Sequence, residues 1–191
     1  GIRKVEAALL NYGFQREDVI VAHPEHIDKV VGPNTKVVGI AETDPLGIAP
    51  ATSSFTGLLG GEAYMAIKFR ELLNHPAMKK FKPKIVVGGP GAWQLEPVEI
   101  RKELGIDCVI VGEGEKVAGP IFEKAVNGET LPEIMHGGVV PEEEIPTIRD
   151  PTVCGLVEIA RGCGRGCAFC VPTLQVYRCL SLEHILKEVE V

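Results

Sequence analysis

The sequence predicts an α/β protein: a doubly wound parallel sheet, followed by a strand, a cysteine-rich loop and a helix. Short apolar segments alternate with amphipathic helical segments, which is typical of parallel sheets with helices on both faces. Gly-rich turns follow two of those apolar segments, at Gly88-Gly89 and at Gly112–Gly114. A Gly-rich run with three cysteines at 163–170 marks the second unit.

The elements of the first unit alternate in chain order. Val5, Ala8, Leu9 and Tyr12 form one face of a first helix, which Gly13 closes. The remaining predicted elements are strands at 19–22 and 36–41, a helix at 65–73, a strand at 85–87, a helix at 97–104, a strand at 108–111, a helix at 117–125 and a closing strand at 133–136.

The segment 42–61 is predicted to be a long loop at the end of a strand. It contains two prolines and a run of Thr and Ser. Loops longer than about 12–15 residues in compact domains are usually functional or disordered. The hydroxyl groups fit either contact with a phosphate or nucleotide tail, which we favour, or local helix capping.

The two Gly-rich turns lie where open α/β sheets bind their ligands, beyond the carboxyl ends of the strands. Glycine there permits close approach of the backbone to a ligand. Two tight strand-to-helix turns explain the same glycines without any ligand. Neither turn matches G-x-G-x-x-G, so the sequence does not support a dinucleotide-binding fingerprint.

Three closely spaced cysteines dominate the second unit. Cys163, Cys167 and Cys170 form a C-x3-C-x2-C pattern, called here the cysteine loop (163–170). Three thiolates on one loop can bind three irons of a cubic iron–sulfur cluster, whereas ordinary clusters of this kind use a fourth Cys ligand. A loop that supplies only three leaves one iron open to a substrate or cofactor.

The surrounding sequence predicts the order strand, loop, helix. Residues 156–160 alternate and are rich in β-formers, and Ser181 is a predicted N-cap. The helix that follows has an apolar face of Leu182, Ile185, Leu186 and Val189. Active sites of barrels with parallel strands are built from loops at the carboxyl ends of the strands, which is where the cysteine loop is predicted to lie.

Other uses of these thiols fit the sequence less well. A zinc site usually has four ligands in paired spacing, and His184, one candidate for a fourth, lies on the following helix. A redox C-x-x-C pair at Cys167 and Cys170 leaves Cys163 unexplained.

The residues 158–163, Glu-Ile-Ala-Arg-Gly-Cys, and the run ending in Cys-x-Phe-Cys resemble the radical S-adenosylmethionine (radical SAM) superfamily. The resemblance implies that Cys163, Cys167 and Cys170 bind a [4Fe–4S] cluster, whose open iron takes the amino and carboxylate groups of S-adenosylmethionine. It implies that Phe169 lies near the adenine. It also implies an electron donor such as ferredoxin or flavodoxin, and cleavage to a 5′-deoxyadenosyl radical. The cofactors supply the hard chemistry in such enzymes.

The stretch Val-Val-Gly-Gly-Pro, a helix, Val-Ile-Val-Gly-Glu-Gly-Glu and a second helix are similar to the cobalamin-binding domain found upstream of many radical SAM barrels. The Asp-x-His-x-x-Gly motif of a lower cobalt ligand is absent, and His23 and His26 do not match it. The resemblance covers about residues 1–137. It implies a cobalamin site lined by Thr43, Gly88, Gly89, Gly112, Glu113 and Gly114.

The predicted organisation has three parts. Residues 1–137 are a Rossmann-like domain of the cobalamin-binding type, 138–154 are a charged, Pro-rich linker, and 155–191 are the start of a radical SAM barrel. Charged, Pro-rich segments tend to stay extended and solvated. Because the resemblance implies a barrel of several βα units, we expect this chain to be the N-terminal portion of a longer enzyme, inactive alone.

Composition narrows the function classes. The formal net charge of −6 argues against broad binding to nucleic-acid phosphates by this segment. The sequence shows no apolar stretch of membrane-spanning length and no signal peptide. Six cysteines, three of them in one loop, suit a reducing cytoplasm. Cys108 and Cys154 are expected to be buried structural thiols.

The favoured function is a cobalamin-dependent radical SAM methyltransferase that acts on an unactivated carbon. One alternative is radical rearrangement or carbon–carbon bond formation without bound cobalamin. Another is an iron–sulfur electron-transfer or binding module, in which a residue such as Cys179 supplies the fourth ligand.

Overall fold

A computed structural model of the chain describes residues 1–168, 170 and 176–191. The first 138 residues contain four strands, with helices before the first strand and at least one helix between each strand and the next, and a two-stranded ladder and a helix follow. The elements in chain order are α1 (Ile2–Tyr12), α2 (Ile27–Val30), β1 (Val37–Ala41), α3 (Pro50–Leu59), α4 (Tyr64–Leu73), α5 (Pro76–Phe81), β2 (Lys84–Gly88), α6 (Val98–Leu104), β3 (Cys108–Gly112), α7 (Ala118–Val126), β4 (Ile134–Gly138), β5 (Ala160–Arg161), β6 (Arg178–Cys179) and α8 (Leu182–Val189).

The strands β1 to β4 form a parallel sheet in the order β1-β2-β3-β4. In its central pair, Val86 lies opposite Cys108 and Val87 opposite Val109. Because the four strands run in the same direction, the turns after them gather at one edge, called here the carboxyl edge. This edge contains both Gly-rich turns.

Helices cover both faces of the sheet. On one face, Val86 and Cys108 pack against Leu9 of α1 and Ile121 of α7. The opposite face packs against α4 and α6 through the buried residues Ile40, Phe69, Leu73, Val87, Val109 and their neighbours Ile100 and Leu104. The predicted α/β architecture with a helix-flanked parallel sheet is therefore confirmed.

Most predicted elements are present with small shifts at their ends. The predicted helices at 65–73 and 97–104 correspond to α4 and α6. The predicted N-cap is also confirmed, since Ser181 Oγ accepts a hydrogen bond from the backbone N–H of His184 at 3.3 Å. The four predicted strands at 36–41, 85–87, 108–111 and 133–136 correspond to β1, β2, β3 and β4.

The predicted strand at 19–22 is wrong. Val19 has extended dihedrals and is half-buried, whereas Ile20 is 70% exposed, although the run 19–22 is apolar throughout. In the described sheet, however, no strand lies beside this segment. A strand requires a neighbouring backbone to pair with, which local pattern alone does not supply.

The prediction of a structureless loop over 42–61 is also wrong, because α3 occupies half of it. Pro50 takes the first helical turn, where its missing N–H is not needed. The hydroxyl of Ser54 donates to Pro50 O at 2.8 Å and that of Thr56 to Thr52 O at 3.0 Å. These hydroxyl groups therefore bond to the backbone of their own helix, which is closer to the predicted local capping than to the predicted contact with a ligand.

The second unit differs from prediction in two ways. Only Ala160 of the predicted strand 156–160 is in β5, and Leu156 and Ile159 are 69% and 62% exposed. The segment 138–154 is not wholly solvated, since Val140 and Ile145 are buried in a small cluster. The second difference follows from packing between elements that are distant in the chain, since Val140 and Ile145 pack against Leu180.

Candidate functional site

The cysteine loop is closed at its base by β5 and β6, a two-residue antiparallel ladder called here the loop neck. Ala160 lies opposite Cys179, and Arg161 lies opposite Arg178. The N–H of Leu180 extends the ladder by donating to Ile159 O at 3.0 Å. The neck therefore fixes both ends of the segment 162–177, which contains the cysteine loop.

The three cysteines of the loop are accessible to different degrees. Cys163 is exposed, and Cys167 and Cys170 are half-buried. The N–H of Cys170 donates to the carbonyl of Cys167 at 3.0 Å. Gly164 and Gly166 have φ values of 70° and 62°, in the left-handed region that glycine adopts without steric cost. These glycines allow the chain to turn tightly between the first two thiols.

In the part of the chain that the structure describes, no three His, Cys, Asp or Glu side chains lie close enough together to hold a metal ion. The three thiols thus lie on one loop but are not close enough together to form a three-ligand metal site. The donor set still suits iron, because soft thiolates are the ligands of iron–sulfur clusters. Preformed metal sites are not required in general, since metal binding and local folding are coupled.

Glu113 sits on the Gly112–Glu115 turn at the carboxyl edge and is 8% exposed. Its backbone N–H donates to Gly138 O at 3.2 Å, and its Oε2 accepts from the N–H of Val140 at 2.9 Å. A Cβ on Gly137 would lie 1.8 Å from the Glu113 carbonyl oxygen, so only glycine fits there. The end of β4 therefore holds this glutamate tightly in place.

The Glu113 carboxylate faces the loop neck. It accepts two hydrogen bonds from Arg178, at 2.8 Å from Nη1 and 2.5 Å from Nη2, and one from Arg161 Nη1 at 3.0 Å. The side chains of Arg161 and Arg178 are only 11% and 9% exposed. A carboxylate on the sheet thus bridges the two arginines of the neck.

Arg161 also contacts two other carboxylates. Its Nε and Nη2 donate to the two oxygens of Glu158 at 2.8 and 2.9 Å. Its Nη1 lies 2.7 Å from Glu115 Oε1. Bidentate guanidinium–carboxylate pairs of this kind fix geometry as well as charge.

The pKa values of this cluster shift in the direction of ion pairing. Burial alone would raise the pKa of Glu113, but hydrogen bonds from Arg178, Val140 and Arg161 outweigh it and lower the pKa. Burial would lower the pKa of Arg161, but Glu158 and Glu115 raise it instead. Burial would raise the pKa of Glu158, and its bond with Arg161 lowers it. These shifts favour the charged forms of Glu113, Glu158 and Arg161.

The residues predicted to line a cobalamin site lie along the carboxyl edge. Thr43 is exposed after β1, Gly88 ends β2 and Gly112 ends β3. A Cβ on Gly89 would lie 2.6 Å from Glu42 O, so this glycine permits close approach of protein backbone. Their contact with a cofactor stays a prediction, as does that of Glu113 and Gly114. Phe169, the predicted adenine contact, lies outside the described residues.

A second polar group at this edge escaped sequence reasoning. Asp44 is 3% exposed, and its Oδ1 accepts from Gln94 Nε2 at 2.7 Å and from the N–H of Ala49 at 3.1 Å. Gln94 Oε1 in turn accepts from the N–H of Leu46 at 2.9 Å. Burial would raise the pKa of Asp44, but bonds from Thr52 and Gln94 lower it. This pair fixes the entry into α3.

Sequence reasoning also missed the pairing of Arg161 with Arg178, because 17 positions separate them in the chain and they meet only in the neck.

Among the described residues, no helix combines the length and apolar character needed to cross a bilayer. Comparison of the chain with family models, with curated proteins and with solved structures finds no match.

Proposed function

We propose that this chain is part of a radical SAM enzyme, in which Cys163, Cys167 and Cys170 bind a [4Fe–4S] cluster. The observation that supports the proposal is a C-x3-C-x2-C loop closed by a short ladder beside the carboxyl edge of a parallel sheet. Three thiolates leave one corner of a cubic cluster without a protein ligand. That corner suits S-adenosylmethionine.

The residues of this chain bind and position rather than react. The loop supplies thiolates from an accessible surface, since Cys163 is exposed and Cys167 and Cys170 are half-buried. The neck holds the two ends of the loop together, and Phe169 is proposed to contact the adenine. When bound, the cluster and S-adenosylmethionine supply one-electron cleavage of the sulfonium, with ferredoxin or flavodoxin as a proposed electron donor.

We further propose that the first domain binds cobalamin and that the reaction is methyl transfer to an unactivated carbon. This proposal is supported by the fold rather than by a motif: the turns after β1, β2 and β3 meet at the carboxyl edge, where open α/β sheets bind ligands. Thr43 and Gly88 lie there, with Gly112 on the neighbouring strand. A cytoplasmic location is part of the same proposal, because such clusters need a reducing compartment.

The first experiment tests the cluster. Anaerobic reconstitution with ferrous iron and sulfide is expected to give about four irons per chain and a broad charge-transfer absorption. Adding S-adenosylmethionine to the reduced protein is expected to change its EPR spectrum. The variant Cys167→Ser should lose most of the iron, whereas Cys154→Ser, an exposed thiol outside the loop, should retain it.

Zinc in the purified protein, or iron retained fully by Cys167→Ser, would refute the cluster. A normal cluster whose EPR spectrum does not change when S-adenosylmethionine is added would instead favour the electron-transfer module.

Titration with hydroxocobalamin tests the first domain, with the absorption of bound cobalamin measured after gel filtration. If no cobalamin stays bound to the protein after gel filtration, the proposed methyltransferase is refuted. The alternative of a radical enzyme for rearrangement or carbon–carbon bond formation then remains.

A further inference from the structure

The loop neck places two positively charged side chains next to each other. Arg161 and Arg178 are direct partners in an antiparallel ladder, so their side chains lie on the same face. Like charges directly opposite each other destabilise such a pair. The problem is sharper here because both guanidinium groups are almost fully removed from water. Without a compensating anion, this ladder should not hold.

Glu113 supplies that anion from a different part of the fold. Its carboxylate accepts from both arginines, and the contact with Arg178 is two-pronged. The glutamate itself is anchored to the end of β4 through Gly138 O and the N–H of Val140. Glu113 therefore connects both arginines of the neck to the carboxyl edge, and Glu115 adds a contact to Arg161 alone.

We propose that Glu113 is a positioning residue for the cysteine loop, acting through Arg161 and Arg178. Arg161 stands two residues before Cys163, so a shift of the neck moves the first thiol directly. What the loop binds rests on the proposed function, but the hold of Glu113 on the loop does not. The two can therefore fail separately.

Arg161 and Arg178 both have partners besides Glu113. Arg161 keeps Glu158 and Glu115 if Glu113 is neutralised. Arg178 loses a carboxylate that accepts two of its N–H groups. Arg178 still donates to Val140 O, so neutralising Glu113 should loosen both strands of the neck without releasing either one completely.

The chain contains a matched control for Glu113. The carboxylate of Glu6 also lies between two arginines, 2.8 Å from Arg3 Nη1 and 2.9 Å from Arg16 Nη1, and its side chain is 1% exposed. Neither arginine borders the cysteine loop. Glu6→Gln therefore removes the same charge from a similarly buried site without a direct contact to the neck.

The first test uses the metal-free protein and amide hydrogen exchange of peptides that cover 156–162 and 176–182. In Glu113→Gln, exchange at the neck, including the N–H of Leu180, is expected to be at least about tenfold faster than in the wild type. In Glu6→Gln it should be unchanged there. Equal acceleration in both variants, or none in Glu113→Gln, would overturn the proposal.

If Glu113→Gln does not fold, the variant Arg178→Lys tests the same proposal. It keeps the charge but loses the two-pronged geometry, and the same acceleration confined to the neck is expected. Unchanged neck exchange in a folded Arg178→Lys protein would then refute the role of Glu113.

The second test uses the reconstituted protein. Because a shift of the neck would move Cys163, the midpoint potential of the cluster should change in Glu113→Gln and stay unchanged in Glu6→Gln. An unchanged potential in Glu113→Gln would overturn the positioning role. If the wild type assembles no cluster, the proposed function fails, and the exchange experiment still decides whether Glu113 holds the loop.

Discussion

Arg161 and Arg178 lie directly opposite each other in the ladder that closes the cysteine loop, and both donate to the same carboxylate of Glu113. The two arginines belong to the second unit, whereas the glutamate belongs to the parallel sheet. A buried ion cluster therefore connects the sheet to the base of the loop.

This arrangement changes how the Gly112–Glu115 turn should be interpreted. Its position at the carboxyl edge favours ligand contact, and the resemblance to cobalamin-binding domains implies that Glu113 lines a cobalamin site. The side chain of Glu113 is 7% exposed and turned toward arginines. A ligand at this edge would approach the half-buried glycines Gly112 and Gly114 more readily than the Glu113 carboxylate.

Gly137→Ala tests the close packing behind Glu113. The added Cβ would lie 1.8 Å from the Glu113 carbonyl oxygen, so backbone must shift to admit it. We expect the free energy of unfolding to fall by about 2 kcal/mol or more, as in other overpacked sites. Urea denaturation measures the loss.

Gly32→Ala is the control for that substitution, because a Cβ there meets nothing within 4 Å. Its free energy of unfolding should stay within about 0.5 kcal/mol of the wild type or rise slightly. Equal losses in both variants would show that the contact between Gly137 and Glu113 is not tight.

Acid should weaken the ion cluster. The pKa of Glu113 is lower in the folded protein than in the unfolded chain, where it is about 4.3. The folded state therefore binds fewer protons, and this contribution is present above the unfolded value and is lost as pH falls through the folded value. The lowered pKa of Glu158 acts in the same direction.

The measurement compares urea denaturation of the wild type and Glu113→Gln between about pH 7 and pH 3. The wild type should be more stable at neutral pH, and the difference should shrink as Glu113 becomes protonated. A gap of constant size across this range would mean that the carboxylate charge of Glu113 does not stabilise the fold.

The centre of the parallel sheet could be predicted because β2 and β3 contain apolar runs that are buried on both faces. Val87 and Val109, both fully buried, lie in such runs. Residues 19–22 show the limit of that reasoning, since they form an apolar run but the described sheet offers them no partner. A pattern local to one segment does not reveal which backbone lies beside it.

The cysteine motif could be identified from spacing alone, but its support could not. The contacts of Glu113 with Arg161 and Arg178 join residues 48 and 65 positions apart. Charged residues on turns are normally solvated, so nothing local distinguishes Glu113 from Glu115. Only the register of the neck, Arg161 opposite Arg178, places the carboxylate between two cations.

Cys108 and Cys154 should differ sharply in reactivity. Both were expected to be buried, but Cys154 is exposed and only Cys108 is inside the sheet. Burial, with a smaller contribution from Asp107, raises the pKa of Cys108 to about 11. Because the thiolate is the nucleophile, we expect Cys108 to alkylate at least about a hundredfold more slowly than Cys154 near neutral pH.

Iodoacetamide labelling of the folded, metal-free protein, followed by peptide mass spectrometry, measures both rates. In denaturant the two thiols should react at similar rates. If Cys108 reacts as fast as Cys154 without denaturant, the packing of α1 and α7 against β3 is incorrect.

Cys179 distinguishes a three-thiolate site from a four-thiolate site. It lies in the neck opposite Ala160, below the cysteine loop, and its thiol donates toward Ile159 O at a distance of 3.6 Å. Because it already has this partner and stands outside the loop, we expect Cys179→Ala to keep about four irons per chain. Its reduced EPR spectrum should still respond to S-adenosylmethionine. Loss of the cluster in Cys179→Ala would mean that side chains cap every corner, and the electron-transfer module would then replace the radical enzyme.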